Sequence, residues 1–202
     1  MDKLINIASK NIYEMMSADN FAAFSGAAAH GQLGVMEKLM ELAPDKVHDM
    51  VCARDYHAFR KAAHNGHLAT IKKLIDLAPD NIQDMVSAEN FYAFQFAASH
   101  GHLDVMEKLM EIASDKVQDM VSADNFYAFE MAHENAQLQI VERLLSVPAV
   151  FTYAEMHPHE YREFVQDFMN FELSTLSQDT NNFNTNHPGQ VFDITDLEKA
   201  KL

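Results

Sequence analysis

The hydrophobic residues of this chain recur at spacings of three and four, which is the pattern of helices that bury one face. In the stretch 20–30 this face carries four apolar residues, Phe21, Phe24, Ala27 and Ala28. A second stripe of Leu, Val and Met follows in 34–43, and a shorter one in 45–51. We therefore expect a helix over each of these three stretches, with little or no β-strand.

The three-helix pattern returns every 35 residues. The segment SADNFAAF, which starts at residue 17, recurs as CARDYHAF from 52, SAENFYAF from 87 and SADNFYAF from 122. The chain is therefore a tandem array up to residue 156, with a partial repeat near 1–16 followed by repeat 1 (17–51), repeat 2 (52–86), repeat 3 (87–121) and repeat 4 (122–156). Because a unit of this size cannot bury a core alone, neighbouring repeats must stack.

Residues typical of helix ends stand at fixed places in the repeats. The first helix of each repeat follows an Asn or Asp that we expect to cap its free amides: Asn20, Asp55, Asn90 and Asn125. Three repeats then have a glycine where a left-handed residue ends the helix: Gly31, Gly66 and Gly101. The first helices are thereby bounded on both sides.

The segment AASHGHLDVMEKLM at 97–110 resembles the second half of an ankyrin repeat, in which two alanines precede Gly-His-Leu and paired aliphatic residues. AAHNGHLATIKKLI at 62–75 has the same order, and the resemblance covers residues 1–150. It implies that the two alanines, Ala97 and Ala98, pack helix against helix. It also implies a function in binding other proteins.

Two departures from the ankyrin pattern change the expected fold. The tetrapeptide Thr-Pro-Leu-His of the family is replaced by AAFS, HAFR, YAFQ and YAFE, and the repeat has 35 residues instead of about 33. The family's hairpin sequence is replaced by APDKVHDMVSA and its copies. We therefore predict an all-α, ankyrin-type helical solenoid whose projecting fingers are shortened or helical.

The array ends in residues that depart from the repeat. In repeat 4 the helix-ending glycine becomes Ala136 and the second alanine becomes His133. Residues 157–173 carry aromatic residues at helical spacing, and we expect a C-terminal capping helix there that covers the end of the stack. Residues 174–202 are interpreted as a polar linker and a short C-terminal segment.

Composition and charge exclude several classes of partner. The formal net charge of −15 opposes binding to nucleic acid or to an anionic membrane surface. No apolar stretch approaches the roughly 20 residues of a membrane span, and the N-terminus lacks a signal-peptide pattern. With one cysteine, Cys52, no internal disulfide forms. We expect a cytoplasmic protein. The resemblance to arrays of intracellular bacteria implies delivery into a host cell as the alternative.

The sequence does not predict catalysis. It contains no nucleophile elbow, phosphate loop, dinucleotide-binding glycine run or zinc-protease motif. Of the 11 histidines, His67 and His102 occupy the Gly-His turn, and His30 and His100 fall just before it. The best remaining cluster, His157, His159 and Glu160, surrounds Pro158 in what we interpret as a surface turn. We predict no enzyme activity, no cofactor, no bound metal and no small-molecule substrate.

One side of the first helices varies from repeat to repeat, whereas the opposite side is nearly constant. Offsets of three, four and seven place the variable positions together. In repeat 1 they are small: Ala22, Ser25, Gly26 and Ala29. In repeats 2 to 4 they are His57, Arg60, Lys61, His64, Tyr92, Gln95, Phe96, Ser99, Tyr127, Glu130, Met131 and Glu134. We name this set the first-helix surface; in the ankyrin family this side lines the concave groove.

We expect the first-helix surface to be exposed to solvent and to hold a protein partner, with Tyr92, Phe96, Tyr127 and Met131 as anchors. Solvated faces rarely collect large aromatic and Met side chains, whereas interfaces do. A drifting solvated face is the structural alternative. Two other functions stay open: a non-catalytic repeat part of a larger enzyme or effector, and a self-association module.

Overall fold

The computed structural model describes the backbone of residues 19–186 and the side chains of 19–171 and 173–175. The chain divides after Leu144 into two compact units. The predicted partial repeat at 1–16 and the segment from 187 to the C-terminus lie outside the described residues. No β-strand occurs within 19–186.

From residue 19 onwards, eight helices follow one another in the array, and their bounds recur with the period of the sequence. They are α1 Ala22–Ala29, α2 Leu33–Leu42, α3 Val47–His64, α4 Leu68–Leu77, α5 Ile82–Ser99, α6 Leu103–Ile112, α7 Val117–Glu134 and α8 Leu138–Leu145. Short 3₁₀ turns lead into α3, α5 and α7: Pro44–Lys46, Pro79–Asn81 and Ser114–Lys116. The predicted all-α solenoid is confirmed. Where the ankyrin pattern has a β-hairpin finger, this chain has a 3₁₀ turn and a helix, as the sequence led us to expect.

Each 18-residue helix is interrupted near its middle and joins the third helix of one repeat to the first helix of the next. In α3 the interruption is a left-handed turn, with φ of 52° at Arg54, 55° at Asp55 and 57° at Tyr56. The same turn recurs at 89–91 in α5 and 124–126 in α7, and it precedes α1 at 19–21. These turns divide α3, α5 and α7 into the two helices that the sequence pattern predicts.

The predicted capping role of Asn20, Asp55, Asn90 and Asn125 is wrong. A capping residue needs an extended backbone, but each of these residues is the middle one of a left-handed turn. No side chain caps α1. Asn and Asp occur at these positions because they tolerate the left-handed conformation better than most residues do.

The core lies between neighbouring repeats. The constant side of each first helix contributes a phenylalanine that is at most 1% exposed: Phe24, Phe59, Phe94 and Phe129. The alanine pairs of repeats 2 and 3, including Ala97 and Ala98, are fully buried. Helices α1, α3, α5 and α7 pack successively against one another. The second helices add buried aliphatic residues such as Leu74 and Leu109.

The glycines at the helix ends have the left-handed conformation that the sequence predicts. Gly31, Gly66 and Gly101 have φ of 65°, 75° and 79°. A Cβ atom on Gly66 would lie 2.5 Å from Nδ1 of His102, the histidine of the next Gly-His turn. The glycine therefore serves two purposes, since it permits the backbone angle and leaves room for the next repeat.

The second compact unit contains α9 Pro148–Met156 and α10 Pro158–Asn186. The predicted helix at 157–173 is present, but the predicted start of a linker at 174 is wrong, because α10 continues to Asn186. Between 159 and 186 no Pro or Gly interrupts the helix, so its hydrogen-bond ladder propagates through the polar residues. The capping role of this helix stays a prediction.

Two glycine substitutions test the repeat geometry. We expect Gly66→Ala to lower the free energy of unfolding by at least about 1–2 kcal/mol, because alanine disfavours positive φ and its Cβ meets His102. Gly34→Ala is the matched control: Gly34 lies in α2 with no heavy atom near the new Cβ, so alanine should stabilise by up to about 1 kcal/mol. Urea unfolding measures both, and equal shifts would contradict the assigned turn.

Candidate protein-binding surface

The four predicted anchors lie on one side of the first helices and are partly open to solvent. Tyr92 and Phe96 belong to α5, and Tyr127 and Met131 belong to α7; all four are half-buried. The repeat positions therefore bring the anchors of repeats 3 and 4 to one surface. They are neither fully exposed, as the sequence led us to expect, nor covered by other parts of the array.

Rings from repeats 2, 3 and 4 pack against one another, and we name five of them the aromatic cluster. Its members are His64, Tyr92, Phe96, His100 and Tyr127. The centroid of Phe96 lies 4.1 Å from that of Tyr92, 5.0 Å from that of His64 and 6.2 Å from that of Tyr127. His100 packs 4.5 Å from His64. Such stacked and offset pairs contribute beyond the area that they bury, so the cluster is held in place before any partner binds.

His100 is the member of the cluster that the sequence analysis missed. In the sequence, its position just before Gly101 points only to the Gly-His turn. Its offset of four residues from Phe96 places both side chains on one helical face, and this spacing could have revealed it. In the structure the rings of Phe96 and His100 stack at 6.0 Å.

Basic side chains of repeat 2 hold Tyr92 from the neighbouring helix. Nζ of Lys61 donates a hydrogen bond to the Tyr92 hydroxyl at 3.2 Å, and Nδ1 of His64 lies 3.1 Å from the same oxygen. Lys61 Nζ and Arg60 Cζ each lie 5.4 Å from the centroid of the Tyr92 ring. Cations at this distance from an aromatic face are attracted by it, so repeat 2 fixes the orientation of the Tyr92 side chain in repeat 3.

Four residues at the variable positions are buried, namely Ser25, Arg60, Gln95 and Ser99, so the expectation that they face solvent is wrong. Arg60 is 5% exposed, and Gln95 and Ser99 are each 4% exposed. Arg60 and Gln95 each lie five residues after the middle residue of a left-handed turn. Their side chains are therefore close enough to reach the carbonyl groups of that turn. They consequently serve the packing of the array instead of a partner.

The buried Arg60 binds the left-handed turn of its own repeat and the turn of the next. It donates hydrogen bonds to the carbonyl oxygens of Asp55 at 2.8 Å and Arg54 at 2.9 Å. Its Nη2 also lies 2.7 Å from Oε1 of Glu89 in repeat 3. A buried charge is tolerated when it is paired and hydrogen-bonded in this way, and these bonds offset part of the cost of left-handed backbone.

Gln95 performs the equivalent role one repeat further on. Its Nε2 donates to the carbonyl of Asn90 at 3.1 Å and to Oδ2 of Asp124, in repeat 4, at 2.9 Å. Asn90 donates to the other carboxylate oxygen of Asp124 at 2.7 Å. At the start of the array Arg54 binds the backbone carbonyl and the carboxylate of Asp19. The left-handed turns of successive repeats are thus linked by polar side chains.

The remaining predicted surface residues keep some contact with solvent. His57, Lys61, His64 and Glu130 are half-buried, and Glu134 is exposed. Burial lowers the pKa of His64, with smaller contributions from His100, Lys61 and His102. Burial also lowers the pKa of His57, aided by Arg60, Lys61 and Arg54. Both histidines are therefore neutral at neutral pH, and the cation that repeat 2 presents here is Lys61.

The structure offers no grouping suited to metal chemistry in its described part, where three metal-ligating side chains nowhere converge. Nδ1 of His157 lies 2.8 Å from the carbonyl oxygen of Tyr153, which explains this histidine as a helix-end contact. At Cys52, burial raises the pKa of the thiol, the opposite of what an activated nucleophile needs. Among the described helices, none combines the length and apolarity needed to cross a membrane.

Comparison with known proteins identifies the repeat. A family model for ankyrin repeats matches residues 59–110, from the first helix of repeat 2 to the second helix of repeat 3. The chain is an ankyrin repeat protein. The solved structure of an ankyrin repeat family protein from Legionella pneumophila matches 84% of this chain, with 34% sequence identity and a TM-score of 0.76. A search of curated proteins gave no significant match.

The ankyrin chain described here spans 49% of the solved Legionella chain. The ankyrin family that the alanine pair and Gly-His-Leu indicate in the sequence is confirmed. Ankyrin repeats are in general modules for protein–protein interaction, which gives the aromatic cluster a functional context that geometry alone does not supply.

The lowered pKa of His64 predicts that this ankyrin array loses stability in mild acid. Below about pH 6.5 the unfolded chain binds more protons than the folded chain, so stability falls as the pH drops through that value toward the folded pKa. We expect the melting temperature to decrease between about pH 7.5 and pH 5.5. His64→Gln should reduce the decrease, whereas His159→Gln, at an exposed position on α10, should not. The same decrease in both variants would contradict this role of His64.

Proposed function

We propose that the array binds a protein partner through the first-helix surface of repeats 2 to 4, with the aromatic cluster and Met131 at the centre of contact. The observation that carries this proposal is the cluster itself. Its rings pack against one another across three repeats, and their outer parts remain accessible. Aromatic residues and Met are enriched at the centres of interfaces, where Tyr supplies much of the binding energy.

The packing of the cluster favours a binding function. Tyr92 is held by the ring of Phe96 and by the hydrogen bond from Lys61 before a partner arrives. Anchors that are already ordered lose less conformational entropy on binding, so more of the contact energy appears as affinity. A solvated face without function has no need of such ordering.

The structural alternative is that the rings only stabilise the stack of repeats. Half-buried rings serve packing in any case, so truncation should have some effect on stability. The two explanations differ in what truncation of the rings does. If the rings bind a partner, truncation lowers the affinity for that partner more than it lowers the stability of the fold.

We also propose that the array is the recognition part of a protein that acts on host proteins, in the cytoplasm of a cell into which it is delivered. The match to half of a Legionella ankyrin repeat protein supports this proposal. A second candidate function is a non-catalytic repeat region beside an activity that lies elsewhere in a longer protein. The match to only 49% of the Legionella chain supports this candidate equally well. In both cases the array itself binds and does not catalyse.

The double substitution Phe96→Ala with Tyr127→Ala tests the binding function. We expect the immobilised variant to retain much less partner from a host-cell lysate than the original chain, because a truncated anchor costs about 2 kcal/mol, or about thirtyfold in affinity. The variant should stay folded, since each half-buried ring contributes only about 0.5–1.5 kcal/mol through its ring contacts. Quantitative mass spectrometry of the retained proteins and a melting curve measure the two effects.

Leu138→Ala is the matched control for the double substitution. Leu138 is a large apolar residue on the second helix α8 and is 55% exposed. Its truncation should leave the retained proteins unchanged. If Leu138→Ala and the ring variant retain the same proteins in equal amounts, the first-helix surface is not the binding site.

A further inference from the structure

The chemical character of the first-helix surface changes in order along the array. Repeat 1 contributes only small side chains, such as Ala22 and Ala29. Repeat 2 contributes Lys61, and repeat 3 contributes rings. Repeat 4 contributes one further ring, Met131 and two carboxylates, of which Glu134 is exposed. A basic end, an apolar centre and an acidic end therefore follow one another on one face.

One charged side chain at each end, Lys61 or Glu134, belongs to no ion pair within the described residues. The two arginines of repeat 2 are already paired, Arg54 with Asp19 and Arg60 with Glu89. Lys61 instead donates to the Tyr92 hydroxyl, and neither Lys61 nor Glu134 forms an ion pair within the described residues. The chain as a whole has a net charge of −15, so a lysine without an ion pair gives this part of the surface a positive charge that the rest of the chain does not share.

We propose that the first-helix surface selects a protein segment that is acidic at one end, apolar in the middle and basic at the other, and binds it in one direction. The acidic end lies over Lys61, the apolar centre over Phe96, and the basic end over Glu134. This inference rests on the proposed binding function and adds the chemistry and the orientation of the partner segment.

The spacing of the repeats sets the length of the segment. Packed helices lie about 8–10 Å apart, so Lys61 and Glu134, two repeats from each other, are separated by about 20 Å along the array. A partner helix covers this distance with about 13 residues and an extended segment with about six. Its apolar side chains fall at the midpoint, where the ring of Phe96 lies between those of His64 in repeat 2 and Tyr127 in repeat 4.

The two charges act mainly on the choice and direction of the partner. A segment bound the other way round brings like charges together at both ends, and a segment with charges of one sign satisfies only one end. Charges at the rim of an interface contribute modestly to affinity but strongly to orientation and specificity. The rings supply the attraction, and the charges reject wrong arrangements.

Designed peptides and charge reversals test this proposal on the full chain. The probe is a helical peptide of about 16 residues with Glu at one end, Leu and Phe in the middle and Lys at the other. Two further peptides keep the apolar centre but carry Glu at both ends or Lys at both ends. We expect the mixed-charge probe to bind about threefold to tenfold more tightly than either of the others, with a difference that shrinks at high salt.

Reversal of the surface charges should change binding in a specific pattern. Lys61→Glu and Glu134→Lys should each weaken the mixed-charge probe by about threefold to tenfold. The double reversal should restore its affinity, because the peptide then binds end for end. A paramagnetic label at the acidic end of the peptide should broaden signals of repeat 2 in the original chain and signals of repeat 4 in the double reversal.

Lys72→Glu and Glu142→Lys provide matched controls, since both residues are exposed and lie on the second helices of the same two repeats. They should leave the affinity unchanged. Equal binding of all three peptides, no binding of the mixed-charge probe, or a double reversal that stays weak would overturn the proposal. If ring truncation still abolishes retention of the natural partner, the proposed function stands while this inference falls.

Discussion

Two adjacent alanines near the end of the first helices set how closely neighbouring repeats pack. In repeats 2 and 3 both alanines are completely buried, and so is the phenylalanine one turn before them. A larger side chain at either place would push the helices apart, because protein interiors have no spare volume. Since each repeat buries its core only against its neighbours, the whole array depends on this close approach, and the constant side of the first helices follows from it.

The variable side is free to differ because the constant side maintains the packing. At the buried variable positions, Arg60 and Gln95 bind the carbonyl groups of left-handed turns and reach the next repeat. At the half-buried positions, rings from three repeats meet in the aromatic cluster. The same helix thus maintains register through its buried polar residues and presents a surface through its outer ones. The proposed binding surface is therefore positioned by backbone packing and not by flexible loops.

Much of the fold follows from patterns that are local in the sequence. The sequence reveals three features: the apolar spacing, the 35-residue period and the glycines at positive φ. Each of them depends on contacts within one repeat or on the regular return of the repeat along the chain. The left-handed turns could not be predicted, because Asn and Asp suit both a cap and a left-handed residue. The burial of Arg60 was equally hidden, since its partner Glu89 belongs to another repeat. Residues 174–186 showed no apolar face, yet a helix begun upstream continues through them.

The central claim is that the variable side of the first helices is the contact surface of the protein. Amide hydrogen exchange, measured with and without the retained partner, tests it most directly because it locates protection along the chain. The account predicts slower exchange in the first-helix parts of α3, α5 and α7, at 57–64, 92–99 and 127–134, with little change in α2, α4 and α6. Protection confined to the second helices or to α10, with the first helices unchanged, would contradict it.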